Sequence, residues 1–125
     1  MAQDLTKIGT VQWVDLTVEN ADEVRDFYKA VVGWEVSGCD MGGYEDYNMV
    51  PPGSSEPVAG VIHARGTNSG LPPQWLMYVP VKDLETSAAT VERLGGKIIK
   101  RNKQHAVIQD PGGAYMVIWQ AGAGA

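Results

Sequence analysis

Side chains able to do acid–base, nucleophilic or metal chemistry are few in this sequence. It has two histidines, His63 and His105, and one cysteine, Cys39, among 125 residues. Each histidine stands alone, at a position where a solvated or hydrogen-bonded imidazole is the ordinary outcome and a ligand or base role the alternative. Cys39 precedes a turn with no histidine near it in sequence, which reads as a free structural thiol rather than a nucleophile. Glu45 and Asp46 are adjacent on a short predicted strand, so they leave opposite faces instead of forming an acid/base pair, and both read as edge or solvent positions. Asp15 differs, because an acid inside an apolar strand is costly unless it is paired or wet.

These residues must be positioned by the elements around them. Thr10–Val18 is rich in β-branched, aromatic and aliphatic residues and reads as a strand, with Val11, Trp13, Asp15 and Thr17 on one face and Gln12, Val14, Leu16 and Val18 on the other. Asn20 sits where a helix N-cap belongs, Asp22 and Glu23 suit the first turn, and Val24, Phe27, Tyr28, Val31 and Val32 form an apolar stripe that ends at Gly33. Residues 34–37, 44–50 and 57–64 read as three short strands. The stretch 65–73, with Gly66, Asn68, Ser69, Gly70 and Pro72, has turn composition and serves as a linker. The order then begins again: a strand over 74–81, a helix capped by Asp83 with Leu84, Ala88, Val91 and Leu94 as its stripe, then strands over 97–100, 105–109 and 114–120. Asp110-Pro111-Gly112-Gly113 is a turn between the last two.

Gln12-Trp13 and Gln74-Trp75 open the two halves about 62 residues apart, each followed by a capped helix ending in glycine, so the repeat is structural even where identity is slight. The expected fold class is α+β: a single domain over 1–125 made of two βαβββ modules, 10–64 and 74–120, forming a curved mixed-sheet cup with helices outside. Neither module can bury its sheet face alone, and two curved sheets meeting would enclose a cavity suited to a small organic ligand.

Composition limits the partners. With 44% hydrophobic residues an ordinary core needs no crosslink, and the net charge of −5 without Lys or Arg runs argues against nucleic acid or an anionic membrane as partner. No apolar stretch approaches the roughly 20 residues of a membrane span. The single cysteine cannot make an internal disulfide and Met1–Asp4 lack a secretory pattern, so the expected compartment is the cytoplasm. The tail 121–125 is expected to be disordered.

Phe27-Tyr28 with Gly33-Trp34, Val81-Lys82-Asp83-Leu84 with Gly95-Gly96, and Asp110-Pro111-Gly112-Gly113 together resemble the vicinal oxygen chelate superfamily, which holds glyoxalase I, extradiol dioxygenases and bleomycin-resistance proteins. The resemblance covers nearly the whole chain and implies the paired βαβββ fold, often as a homodimer. Its enzymes usually hold a divalent metal through His or Glu on the first and last strands of each module. The matching positions here are Trp13, Leu76 and Val117, and 57–62 offers no His, Asp or Glu, so no metal and no cofactor is expected.

What remains on the inferred cup face is Trp13, Asp15, Tyr78, Tyr115, Val117 and Trp119. Two readings fit these aromatics: a dry packed centre, or a surface for a planar apolar ligand. The leading expectation is a metal-independent protein of the bleomycin-resistance type that binds a small hydrophobic or aromatic molecule. The competing readings are a metal-dependent lyase, isomerase or dioxygenase drawing ligands from Asp15, His63 and Glu45 or Glu56, and an accessory protein whose cup is filled by its own side chains.

Overall fold

The computed structural model describes residues 7–122; the expectations for Met1–Asp4 and for residues 123–125 lie outside them, and Ala121-Gly122 form a turn. The fold is mixed α+β. Its elements are β1 (Trp13–Val18), α1 (Ala21–Val32), β2 (Glu35–Asp40), β3 (Glu45–Val50), β4 (Ala59–His63), β5 (Trp75–Val81), α2 (Leu84–Arg93), β6 (Lys97–Arg101), β7 (His105–Gln109) and β8 (Tyr115–Gln120), with a single 3₁₀ turn at Gly66–Asn68 in the linker. These are the two βαβββ modules. By their internal contacts the residues form two compact units, Val14–Trp75, and Leu76 onward together with the segment ending at Trp13.

In the first unit β1 pairs in parallel with β4, from Asp15↔Gly60 to Val18↔His63, and β3 pairs antiparallel with both β2 and β4, giving the order β2-β3-β4-β1. Parallel neighbours cannot be joined by a tight turn, and here the connection is α1 plus the β2–β3 hairpin. Alternation then sorts the side chains. Val14 and Val18 pack on a buried cluster of Ala21, Tyr47, Met49, Ala59 and Val61 beneath α1, whereas Asp15 and Thr17 leave the opposite face. Full burial of Met49 and Val61 contributes roughly 1.5–3 kcal/mol each.

The second unit repeats the plan: β5 lies parallel to β8 from Tyr78↔Val117 to Val81↔Gln120, and the order is β5-β8-β7-β6. Leu84, Ala106 and Ile118, with Val81, Ile108 and Met116, form the core under α2. The strand expected from Thr10 starts only at Trp13, because Thr10 turns back through its N–H to the Lys7 carbonyl; Gln12 N–H donates to the Tyr78 carbonyl.

The buried stripe of α1 is narrower than the sequence suggests. Phe27, Val31 and Val32 are exposed, and Ala21, Val24 and Tyr28 meet the sheet, because a helix of this length presents only the i, i+3, i+7 line to a flat neighbour. Gly33 ends α1 at φ +85°, a left-handed conformation that favours glycine. The two expected N-caps also diverge. Asp83 Oδ1 accepts the Thr86 N–H at 3.2 Å, whereas Asn20 makes no capping bond and donates through Nδ2 to Glu23 Oε1 at 2.7 Å. Denaturant unfolding should therefore find Asp83→Ala less stable by about 1 kcal/mol and Asn20→Ala by clearly less; equal losses would mean that the two helix starts are capped alike.

Candidate functional site

In the second unit, residues under α2 alternate with residues that leave the other face. Ile118 and Met116 point to the helix, so Tyr115, Val117 and Trp119 point away, and strand register places Tyr78 beside Val117, His105 beside Trp119 and Gln109 beside Tyr115. The His105 ring stacks on the Trp119 indole with centroids 5.2 Å apart and planes within 6°, and Tyr78 lies 6.4 Å from the same indole. Val117 and Trp13 are buried, with 1% and 6% exposure, while Tyr78, Tyr115 and Trp119 are half-buried.

Two nitrogens at this stack, His105 Nδ1 and Trp119 Nε1, are buried side-chain atoms without a hydrogen-bond partner among the described residues. An orphaned buried donor costs about 1–3 kcal/mol, a cost the indole N–H recovers when side-chain movement lets an acceptor on another molecule reach it. Burial pushes the His105 imidazolium below its ordinary 6.5, which leaves a neutral ring at pH 7 with one N–H and one acceptor nitrogen. The arrangement is a flat aromatic platform with two unused polar atoms, suited to holding a planar molecule that carries a polar edge.

On the first unit's face away from α1, Asp15, Gly60, Asn48 and Ser37 stand in one row across the sheet. A Cβ at Gly60 would come 2.3 Å from Asp15 Oδ1, so the glycine is what makes room for this carboxylate in a strand. Asp15 is half-buried. It belongs to a different unit from Tyr78, Tyr115, Val117 and Trp119, the four expected site residues that share one face.

A second polar cluster gathers at His63. Its Nδ1 lies 3.2 Å from Asp46 Oδ1 and its Nε2 3.3 Å from Asp22 Oδ1; Asp46 Oδ1 also accepts the His63 backbone N–H at 2.8 Å. The Tyr47 hydroxyl donates to Asp22 Oδ1 at 2.5 Å, a bond that pushes the phenol above its ordinary 10.0, and Arg25 covers the Tyr47 ring at 4.5 Å. Asp46 is therefore not the edge or solvent residue that alternation predicted: it is 4% exposed. Beyond Tyr47↔Val61 the β3–β4 ladder ends, and the Asp46 carboxylate takes over the backbone N–H that a strand would have held. Asp22, Tyr47 and His63, together with Asp40, Tyr44 and Glu45, line an acidic recess of about 660 Å³.

The divalent metal implied by the superfamily resemblance does not fit these residues. Trp13, Leu76 and Val117 present no ligand atom, and both ring nitrogens of His63 already face carboxylates. Among the described residues, no three His, Cys, Asp or Glu side chains are grouped as a metal ion needs, which includes Asp15, His63, Glu45 and Glu56. Cys39 is exposed and unbridged.

The His105–Trp119 pairing escaped the sequence reading, although a signal for it existed. Hairpin partners about the Asp110–Gly113 turn have residue numbers with a constant sum, so placing Gln109 opposite Tyr115 also places His105 opposite Trp119.

Residues 13–118 match the family described as glyoxalase-like domain. The "Putative glyoxylase CFP32" of Mycobacterium tuberculosis is 31% identical over 116 residues, covering 88% of this chain and 43% of that protein. The anthracycline biosynthesis protein DnrV of Streptomyces peucetius is 29% identical over 90 residues, covering 72% of this chain and 32% of that protein. The chain thus spans less than half the length of these curated relatives. Among solved structures, methylmalonyl-CoA epimerase from Mycobacterium tuberculosis superposes with a TM-score of 0.52 at 15% identity, over 96% of this chain and 91% of that one, a likeness of fold. With the paired βαβββ modules and a family match over 13–118, this chain belongs to the glyoxalase-like domain family, within the vicinal oxygen chelate fold.

Proposed function

We propose that this glyoxalase-like chain binds a small, planar, largely apolar molecule, without a metal ion, on the face that carries Tyr78, His105, Tyr115 and Trp119. The observation that carries this reading is the stacked His105–Trp119 pair with an unpartnered nitrogen on each ring. A flat ligand gains stacking of about 0.5–1.5 kcal/mol per aromatic pair, and an acceptor on its edge relieves the orphaned indole N–H. A DnrV relative named for anthracycline biosynthesis supports an aromatic ligand class. Metal independence rests on the donor set, since the positions that the superfamily resemblance implies for metal ligands carry Trp13, Leu76 and Val117, none of which offers a ligand atom suited to a divalent ion.

The test uses the four tryptophan indole signals in ¹⁵N-correlated NMR during titration with 1-indanone, a planar aryl ketone, in buffer containing EDTA. The Trp119 signal should move and saturate, and Trp119→Phe should weaken binding about tenfold, the loss of one hydrogen bond of roughly 1.4 kcal/mol. Movement only at Trp34 or Trp75 would refute the location, and binding that appears only after zinc or manganese is added would refute metal independence.

The neutral state of His105 also ties stability to pH. Its folded pKa is lowered, so the unfolded chain takes up a proton near 6.5 while the folded chain does not. The contribution is complete above pH 6.5 and is lost as the pH falls from there through the folded value. Denaturation midpoints measured downward from pH 7 should fall less steeply in His105→Phe, which keeps the stack and removes the titration; an unchanged slope would mean that His105 is not held neutral.

A further inference from the structure

The two modules can be set against each other at their helix starts. Ala21 of α1 then matches Leu84 of α2, Val24 matches Ser87, Tyr28 matches Val91 and, just past the helices, Trp34 matches Lys97. In the first unit the space between helix and sheet is filled by a ring: Tyr28 packs on the buried cluster and meets Trp34 at 6.0 Å and Trp75 at 5.3 Å. In the second unit Leu84 is larger than Ala21, but Ser87 and Val91 are smaller than Val24 and Tyr28, and a recess of about 370 Å³ opens beside Ser87, Thr90 and Val91 of α2, the following Leu94, and Ile108 and Ile118 of the sheet. That volume lies within the roughly 300–1,000 Å³ of small-molecule sites.

The helix cannot settle to close this space. A Cβ at Gly96 would lie 2.7 Å from the Gln109 carbonyl oxygen and 2.9 Å from Val91 Cγ1, so the chain leaving α2 is already in backbone contact with the end of β7. Three of the polar side chains at the rim are tied to backbone. Asp110 Oδ1 accepts the N–H groups of Gly112 and Ala114, Gln109 Nε2 donates to the Gly113 carbonyl, and Thr90 Oγ1 donates to the Thr86 carbonyl. Asp110 is the one charged side chain among the lining residues, and the walls are chiefly hydrocarbon.

We infer that this recess is a second binding site, on the α2 side of the sheet, for a neutral single-ring aromatic molecule that takes the place Tyr28 fills in the other module. It is separate from the Trp119–His105 face, because Ile108 and Ile118 point to α2 while Val107, Val117 and Trp119 point away from it. The protein's own tyrosine defines the occupant: a ring about the size of a phenol between a helix and a sheet, held by ring contacts and, in Tyr28, by a hydrogen bond from Trp75 Nε1 to the hydroxyl at 3.2 Å.

The probe is 4-methylphenol, the tyrosine side chain itself, titrated into the full chain and followed by amide and methyl NMR. Saturable shifts are expected at Val91, Ile108 and Ile118, and Trp119→Phe should leave them unchanged, which separates this site from the opposite face. Val91→Tyr supplies the missing ring and should reduce binding at least tenfold; Ser87→Leu, which narrows the recess from the neighbouring turn, should do the same if the first variant does not fold. No saturable shift in the wild-type chain, shifts confined to Tyr78, His105 and Trp119, or undiminished binding by a folded filled variant would each overturn the inference.

Discussion

The parallel pairing of the first strand with the last strand in each module is the constraint on which the rest depends. Two parallel neighbours need a long connection, and here it carries a helix across one face of the sheet. That helix decides which side chains are core. Val14 and Val18 go beneath α1, and Ile118 and Met116 go beneath α2, so the residues between them are sent to the uncovered face. The parallel register is also what places Gly60 beside Asp15, where a side chain would displace the carboxylate from its present position. A slip of one residue would bury Asp15 under α1 and expose Val14 and Val18.

How much of this was legible depends on how local the signal is. The strands and helices were readable because alternation, helical spacing and turn residues are written within short stretches, and Asp110–Gly113 holds the β7–β8 turn with the bonds its composition promised. Strand ends shifted by one to three residues: Thr10 left the ladder for the Lys7 carbonyl, while β2 ran on to Asp40, which pairs with Glu45. The exposed Phe27 and Val31 show the limit of periodicity: spacing identifies an apolar helix surface but not how wide a strip of it the sheet covers.

The site was less legible because its decisive features are relations between distant residues. Tyr78, Tyr115, Val117 and Trp119 could be assigned to one face by counting, whereas the stacking of His105 on Trp119 follows only from the hairpin register that sets residues 14 positions apart side by side. Asp46 was misplaced for a related reason. Alternation assumes that the ladder continues, and at the end of β3 the carboxylate itself replaces the ladder by accepting the His63 N–H. The burial of that acid is compensated by two contacts to one histidine, which no spacing rule contains.

The two modules share a plan and differ in where they put their rings. The first places Tyr28 on the helix side and fills its core with it; the second places Tyr78, Tyr115 and Trp119 on the opposite side and leaves the helix side to Ser87 and Val91. Protein interiors are ordinarily close-packed and hydrogen-bonded, so departures from either condition carry information. An underfilled space beneath α2 and two ring nitrogens without a partner among the described residues, on the far side of the same sheet, both fall in the second module. A duplicated fold needs only one well-filled copy of its core plan to show what the other has left open, and the first module supplies that reference within the same chain.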